Sequence, residues 1–148
     1  MSHDSQPDTL DHIGKVQSRL RQITGNLEQR GRVHDASKLI SPEKEGFDAL
    51  GENVPEYGTE AYREHMRAHK PTIQGHHAAN DHHPEYFENR LEGMSLLSLT
   101  EMFADWKGAN ERNPEADFKK PLEYNRERFG ISDQLYSILL NTAEELGW

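Results

Sequence analysis

The chain has 148 residues, 29% of them charged and 33% hydrophobic, with a net charge of -9 when histidines are neutral. That length suits one domain with one sizeable core. The negative charge opposes a nucleic-acid polymer or an anionic membrane as partner, but leaves a small anion open wherever a bound cation reverses the local field. No cysteine is present, which excludes disulfides, thiolate zinc sites and a cysteine nucleophile. No run approaches the ~20 apolar residues that span a bilayer. The N-terminus has neither a basic start nor an apolar run, so the expectation is a cytoplasmic protein.

Residues 1–7 read as a tail and 8–148 as a single domain. The first helix should start at residue 8 or 9 and run to about 29, with Val16, Leu20, Ile23 and Leu27 on one stripe and His12 at its edge, facing inward. A buried histidine needs a partner, so His12 is either a core hydrogen-bonder or a metal ligand. Gly31 should break this helix, and a short one should follow over 33–40. Ser41 as N-cap, Pro42 at the first position and the acids Glu43 and Glu45 open the next, which ends near Gly51. Thr59 caps a helix carrying His65 and His69, which Pro71 interrupts or kinks. Helix returns over 74–80, and Pro84 turns the chain at 82–85 by biasing His83 away from helical geometry. Ser95 opens a helix to about 110, a polar connection covers 111–121, a helix over 122–129 stops at Gly130, and Ser132 caps a last helix over 133–146. Nothing alternates with period two, so the fold class is all-α, a compact domain of six to eight helices.

His34 and Asp35 place two metal-type ligands side by side, and Lys38 follows one turn later toward the same spot. Six of the nine histidines fall between His65 and His83. Imidazoles with aspartate oxygens suit Zn, Mn, Fe, Co or Ni better than Ca. His76 and Asn80, four apart, share a helix face. In the helix around Asp105, Leu96, Leu99, Phe103 and Trp106 make one stripe, while Met94, Leu97, Glu101 and Asp105 make a second. A helix apolar on two faces is central. Glu101 and Asp105 are then either buried acids that need a compensating cation, or acids on a solvated rim.

The order His12, His34-Asp35, Asp105 resembles the HD-domain superfamily of metal-dependent phosphohydrolases. The stretches His34-Asp-Ala-Ser-Lys38, His76-His-Ala-Ala-Asn-Asp-His-His-Pro-Glu85 and Glu101-Met-Phe-Ala-Asp-Trp106 also look like a small uncharacterised HD-like family of bacteria and phages. The resemblance implies a helical HD fold and metal ligation by His12, His34, Asp35 and Asp105. A second metal would take His76, His82 and His83, with Asp35 bridging. One or two divalent ions (Mn, Fe, Co, Ni, Zn or Mg) are the implied cofactors. Lys38 resembles a lysine that faces a substrate phosphate. Several HD nucleotidases carry a proton-transferring glutamate at that place, so Glu101, Glu85 or a second metal would have to substitute here, with Asp35 or a nearby acid taking the proton. Asn80 and Glu85 are further candidates for substrate contact. The implied activity is hydrolysis of a small phosphate ester, above all a nucleotide. The rivals are a di-iron oxygenase on the same fold and a metal-stabilised binding or regulatory module. A homo-oligomer is compatible with either.

Overall fold

The structure is a computed structural model and describes residues 4–56 and 58–148. The described residues contain seven α-helices and no strand. The first three residues of the expected tail lie outside the described residues, and the fourth and fifth precede the first helix without regular structure. No helix is long and apolar enough to cross a membrane among the described residues. The chain divides into two units, residues 1–34 and 35–148.

The first unit is one helix, α1 (Gln6–Val33). It starts before the expected position and runs through Gly31, which the sequence marked as its break. A glycine costs a helix only about 1 kcal/mol relative to alanine, and the flanking turns of α1 absorb all three that it holds, Gly14, Gly25 and Gly31. No residue of α1 is buried, so His12 is exposed and the inward position expected of it is not realised.

The second unit opens with a 3₁₀ turn, Ala36–Leu39, in place of the short helix expected over 33–40. Then come α2 (Glu43–Gly51), α3 (Glu60–Ala68) and α4 (Lys70–Ala79). Thr59 caps α3 through its side chain, which accepts from the Tyr62 N–H, whereas α2 has no side-chain cap from Ser41. Pro71 sits in the first turn of α4, where its missing N–H costs nothing. Two 3₁₀ turns, Pro84–Tyr86 and Arg90–Gly93, lead to α5 (Leu96–Asn110), α6 (Lys119–Phe129) and α7 (Asp133–Leu146). Gly130 ends α6 with φ 64°, a left-handed position that glycine adopts without penalty.

The core lies among the last three helices. Phe103, Phe118, Leu122, Ile131, Leu139 and Ala143 are buried there, with Trp106 and Phe129 packed against them. The Trp106 and Phe129 rings stack at 6.0 Å and 6°. On α5 Phe103 enters this core, and Met102 and Ser98, which lie on neither expected stripe, are buried. Met94, Leu97, Glu101 and Asp105 of the expected second stripe are half-buried. Leu96, expected on the buried stripe, is 70% exposed. This core fixes α5, and α5 in turn presents Glu101 and Asp105 to the histidines.

Candidate metal centre

Asp35 begins the second unit with a left-handed backbone, φ 55° and ψ 14°. Aspartate tolerates that region better than most residues, and such positions cluster where a side chain must be aimed. Asp35 Oδ1 lies 3.0 Å from His76 Nε2 and 3.4 Å from His82 Nε2. Asp35 Oδ2 accepts a hydrogen bond from Lys38 Nζ at 2.6 Å. His76 comes from the last turns of α4, and His82 from the turn after it. Both histidines are buried. Asp35, His76, His82 and His83 each offer a ligand atom, and these atoms all lie within 4.8 Å of one another.

The outer nitrogens of the two buried rings face carboxylates. His76 Nδ1 donates to Glu43 Oε1 at 2.6 Å. His82 Nδ1 stands 3.3 Å from Glu101 Oε1. A carboxylate behind Nδ1 selects the tautomer whose Nε2 carries a lone pair. In that tautomer two lone pairs face a carboxylate oxygen, whereas an Nε2 that carries a proton donates to Asp35 instead. A cation between the lone pairs and the carboxylate turns repulsion into ligation, and a carboxylate behind a ligating histidine is the usual support of a metal site. His83 adds a buried Nε2 that makes no hydrogen bond. The donor set, nitrogens plus carboxylate oxygen without sulfur, therefore fits a first-row divalent ion.

Burial pushes the Asp35 carboxyl up, but its contacts with His76, His82 and Lys38 outweigh burial and hold it well below the usual carboxylate range. Burial, reinforced by the neighbouring rings of His82, His77 and His76, lowers His83 from 6.5 to about 3. Burial also lowers His77. Both rings are therefore neutral at neutral pH, each with one nitrogen lone pair free of a proton. The unfolded chain takes up protons at these histidines near pH 6.5, whereas folded His83 does so only near 3, so the unfolded state binds more protons between those values. Stability rises with pH across that window. Metal-free protein should show a lower thermal midpoint at pH 5 than at pH 7.5, and equal midpoints would contradict this.

The other expected residues fall as follows. Asn80 closes α4 and donates to the His76 carbonyl at 2.8 Å, so it secures the ligand-bearing turn. Glu85 Oε1 accepts from Arg128 Nη2 at 3.1 Å and stands 3.6 Å from His77 Nδ1. His77, His83 and Glu85 form a second group able to hold a metal ion. Asp105 lines the cleft wall with His83 and acts on that ring through its charge. Glu101, expected to move a proton, stands behind His82 and orients it. His34 caps the C-terminus of α1 and ends the first unit. Because α1 is unbroken, His12 lies 22 residues, about 33 Å, along the helix from His34, and these two grouped ligands are not brought together. His65 bonds the Leu50 carbonyl and His69 the His65 carbonyl, which are structural roles.

Sequence reasoning missed Glu43. It stands 33 positions from His76, and an acid in the first turn of a helix already has a local explanation. Glu43→Gln should weaken divalent-metal affinity by about 10–100-fold while leaving the helix content unchanged. A chelator-competition titration measures it, and unaltered affinity would remove Glu43 from the site.

A cavity of about 370 Å³ opens beside the cluster, lined by Lys38, His83, Asp105, Arg112, Tyr124 and Arg128 among others. A groove of about 540 Å³ reaches His76 from the α2–α4 side, with Glu43 and Pro71 on its walls, but no lysine or arginine lines it.

A family of unknown function (DUF5662) matches residues 1–145. The chain belongs to this family. No curated protein and no solved structure shows a significant match.

Proposed function

We propose that this protein is a metal-dependent phosphohydrolase acting on a small phosphate ester, with a nucleotide as the first candidate. One observation carries the reading: carboxylate-backed His76 and His82 aim Nε2 at Asp35, beside a cleft that holds Lys38, Arg112 and Arg128. Asp35, His76, His82 and His83 would hold the ion, and the His77, His83 and Glu85 group offers a place for another. A bound divalent ion supplies Lewis acidity toward a phosphoryl oxygen and lowers the pKa of water. Lys38 stays paired with Asp35 and directs a positive charge into the cleft, and Arg112 and Arg128 add two more. Three cations beside an otherwise acidic chain create a local field that selects an anion. They also stabilise the charge that spreads over phosphoryl oxygens as the ester bond breaks. Asp105, on the wall of the cleft, is the carboxylate that would take a proton from water, since Glu101 and Glu43 are committed to the histidines and Asp35 to the ion and Lys38.

The test is a screen of nucleotides and generic phosphate esters with Mn, Co, Ni, Zn or Mg added to metal-free protein. Phosphate release that vanishes in His76→Ala supports the reading. Two bound irons with oxygen uptake and no phosphate release would replace it with the oxygenase alternative.

A further inference from the structure

The first helix carries a feature that the metal centre does not use. Ile13, Val16, Leu20, Ile23 and Leu27 follow one another at spacings of three, four, three and four residues. That is the a/d seam of a coiled coil, narrower than the stripe of an ordinary surface helix. Ile13, Val16, Leu20 and Ile23 are all exposed, Leu20 by 56%. The flanking positions that would face a partner hold His12, Gln17, Thr24 and Asn26, with Arg19 as the one charged exception. The charges Asp8, Asp11, Lys15, Arg21, Glu28 and Arg32 fall on the outer positions of the same register. Two of the outer pairs, Lys15 with Asp11 and Arg32 with Glu28, are bridged within the helix. A seam of aliphatic residues edged by neutral side chains is built to be covered, because a solvated helix has no reason to sort its charges this way.

We propose that this seam pairs with the same seam of a second copy of the chain, in antiparallel orientation. Orientation follows from the charge along the helix. The first two turns carry Asp8 and Asp11, whereas the second half carries Arg21, Arg30 and Arg32 against the single acid Glu28. Antiparallel pairing lays the acidic end of one copy beside the basic half of the other and opposes the two helix dipoles, while parallel pairing stacks like charge on like. A two-fold arrangement is self-complementary, as a homodimer requires. The seam is short, about two heptads, so the pairing is concentration-dependent and salt-sensitive rather than permanent.

Analytical ultracentrifugation of the full chain over a concentration series tests this. Wild-type protein should sediment as a dimer in the tens of micromolar range and dissociate on dilution. Leu20→Glu and Ile23→Glu should each shift the dissociation constant upward by at least tenfold. Metal content and circular dichroism, equal to wild type, show that these variants remain folded. Ser18→Ala, a charge-neutral change on an outer position, is the control and should leave the equilibrium unchanged. Antiparallel order is read from single cysteines, since the chain has none of its own. His12→Cys should not form a disulfide with itself under mild oxidation, and its self-crosslinking would overturn the orientation. A wild-type chain that stays monomeric throughout, or glutamate variants that dimerise as before, would overturn the proposal.

Discussion

Asp35→Ala should abolish stoichiometric binding of a divalent metal and reduce phosphate release by at least about 100-fold. Asp35 touches both inward nitrogens, so its removal leaves His76, His82 and Lys38 facing one another without the carboxylate that joins them. The metal-free variant also loses the contact that holds Lys38 in place, and the lysine then leans on Phe47 alone, whose ring it already approaches at 4.8 Å. Asp35→Asn separates charge from shape: it keeps the size of the side chain but should lose metal almost as completely. The measurement is metal content of the purified variants together with initial rates. Full occupancy in Asp35→Ala would move the site elsewhere.

Phe103→Ala should destabilise the protein by about 3–5 kcal/mol, the largest stability effect expected of any single substitution here. Phe103 is 4% exposed and its ring lies 5.7 Å from that of Phe118 and 5.1 Å from that of Trp148. Truncation removes a large apolar surface and leaves a cavity at the junction of α5, α6 and α7, where rigid helices limit collapse. Chemical denaturation followed by circular dichroism measures it, and a loss below about 1 kcal/mol would mean that this cluster is not the core of the second unit. Because Glu101 is two positions away on α5, metal affinity should fall in parallel.

Much of this fold was readable before any coordinates. Thr59, Ser95 and Ser132 each accept a hydrogen bond from a backbone N–H in the first turn of their helix, as their positions promised. Gly130 and Gly147 end α6 and α7 in the left-handed conformation. Cap chemistry is local, so the sequence displays it. Gly31 misled because a glycine lowers helix propensity by an amount that the rest of a long helix absorbs. That single boundary carried a large consequence: joining residues 6–33 into one rod separates His12 from His34.

The residues of the candidate centre were legible to the degree that they cluster in sequence. His76, His82 and His83 stand within eight positions, and Pro84 announces the turn that carries His82 and His83 beyond the helix holding His76. Asp35 was legible from its histidine neighbour. The supporting carboxylates were not. Glu43 looks like a helix-start acid and Glu101 like a rim acid until folding sets them behind particular ring nitrogens. Residues that act through another residue carry no spacing signature of their own, because their partner lies elsewhere in the chain.

The central claim is that Asp35, His76, His82 and His83 hold a divalent cation. Titration of chelator-treated protein with cobalt(II), followed by its visible absorption, tests it most directly. Wild-type protein should bind with an end point of at least one ion per chain and develop ligand-field bands. Those bands should be lost in His76→Ala and in His82→Ala, each checked for native helix content. Absence of binding by the wild type, or unchanged bands in both variants, would contradict the account.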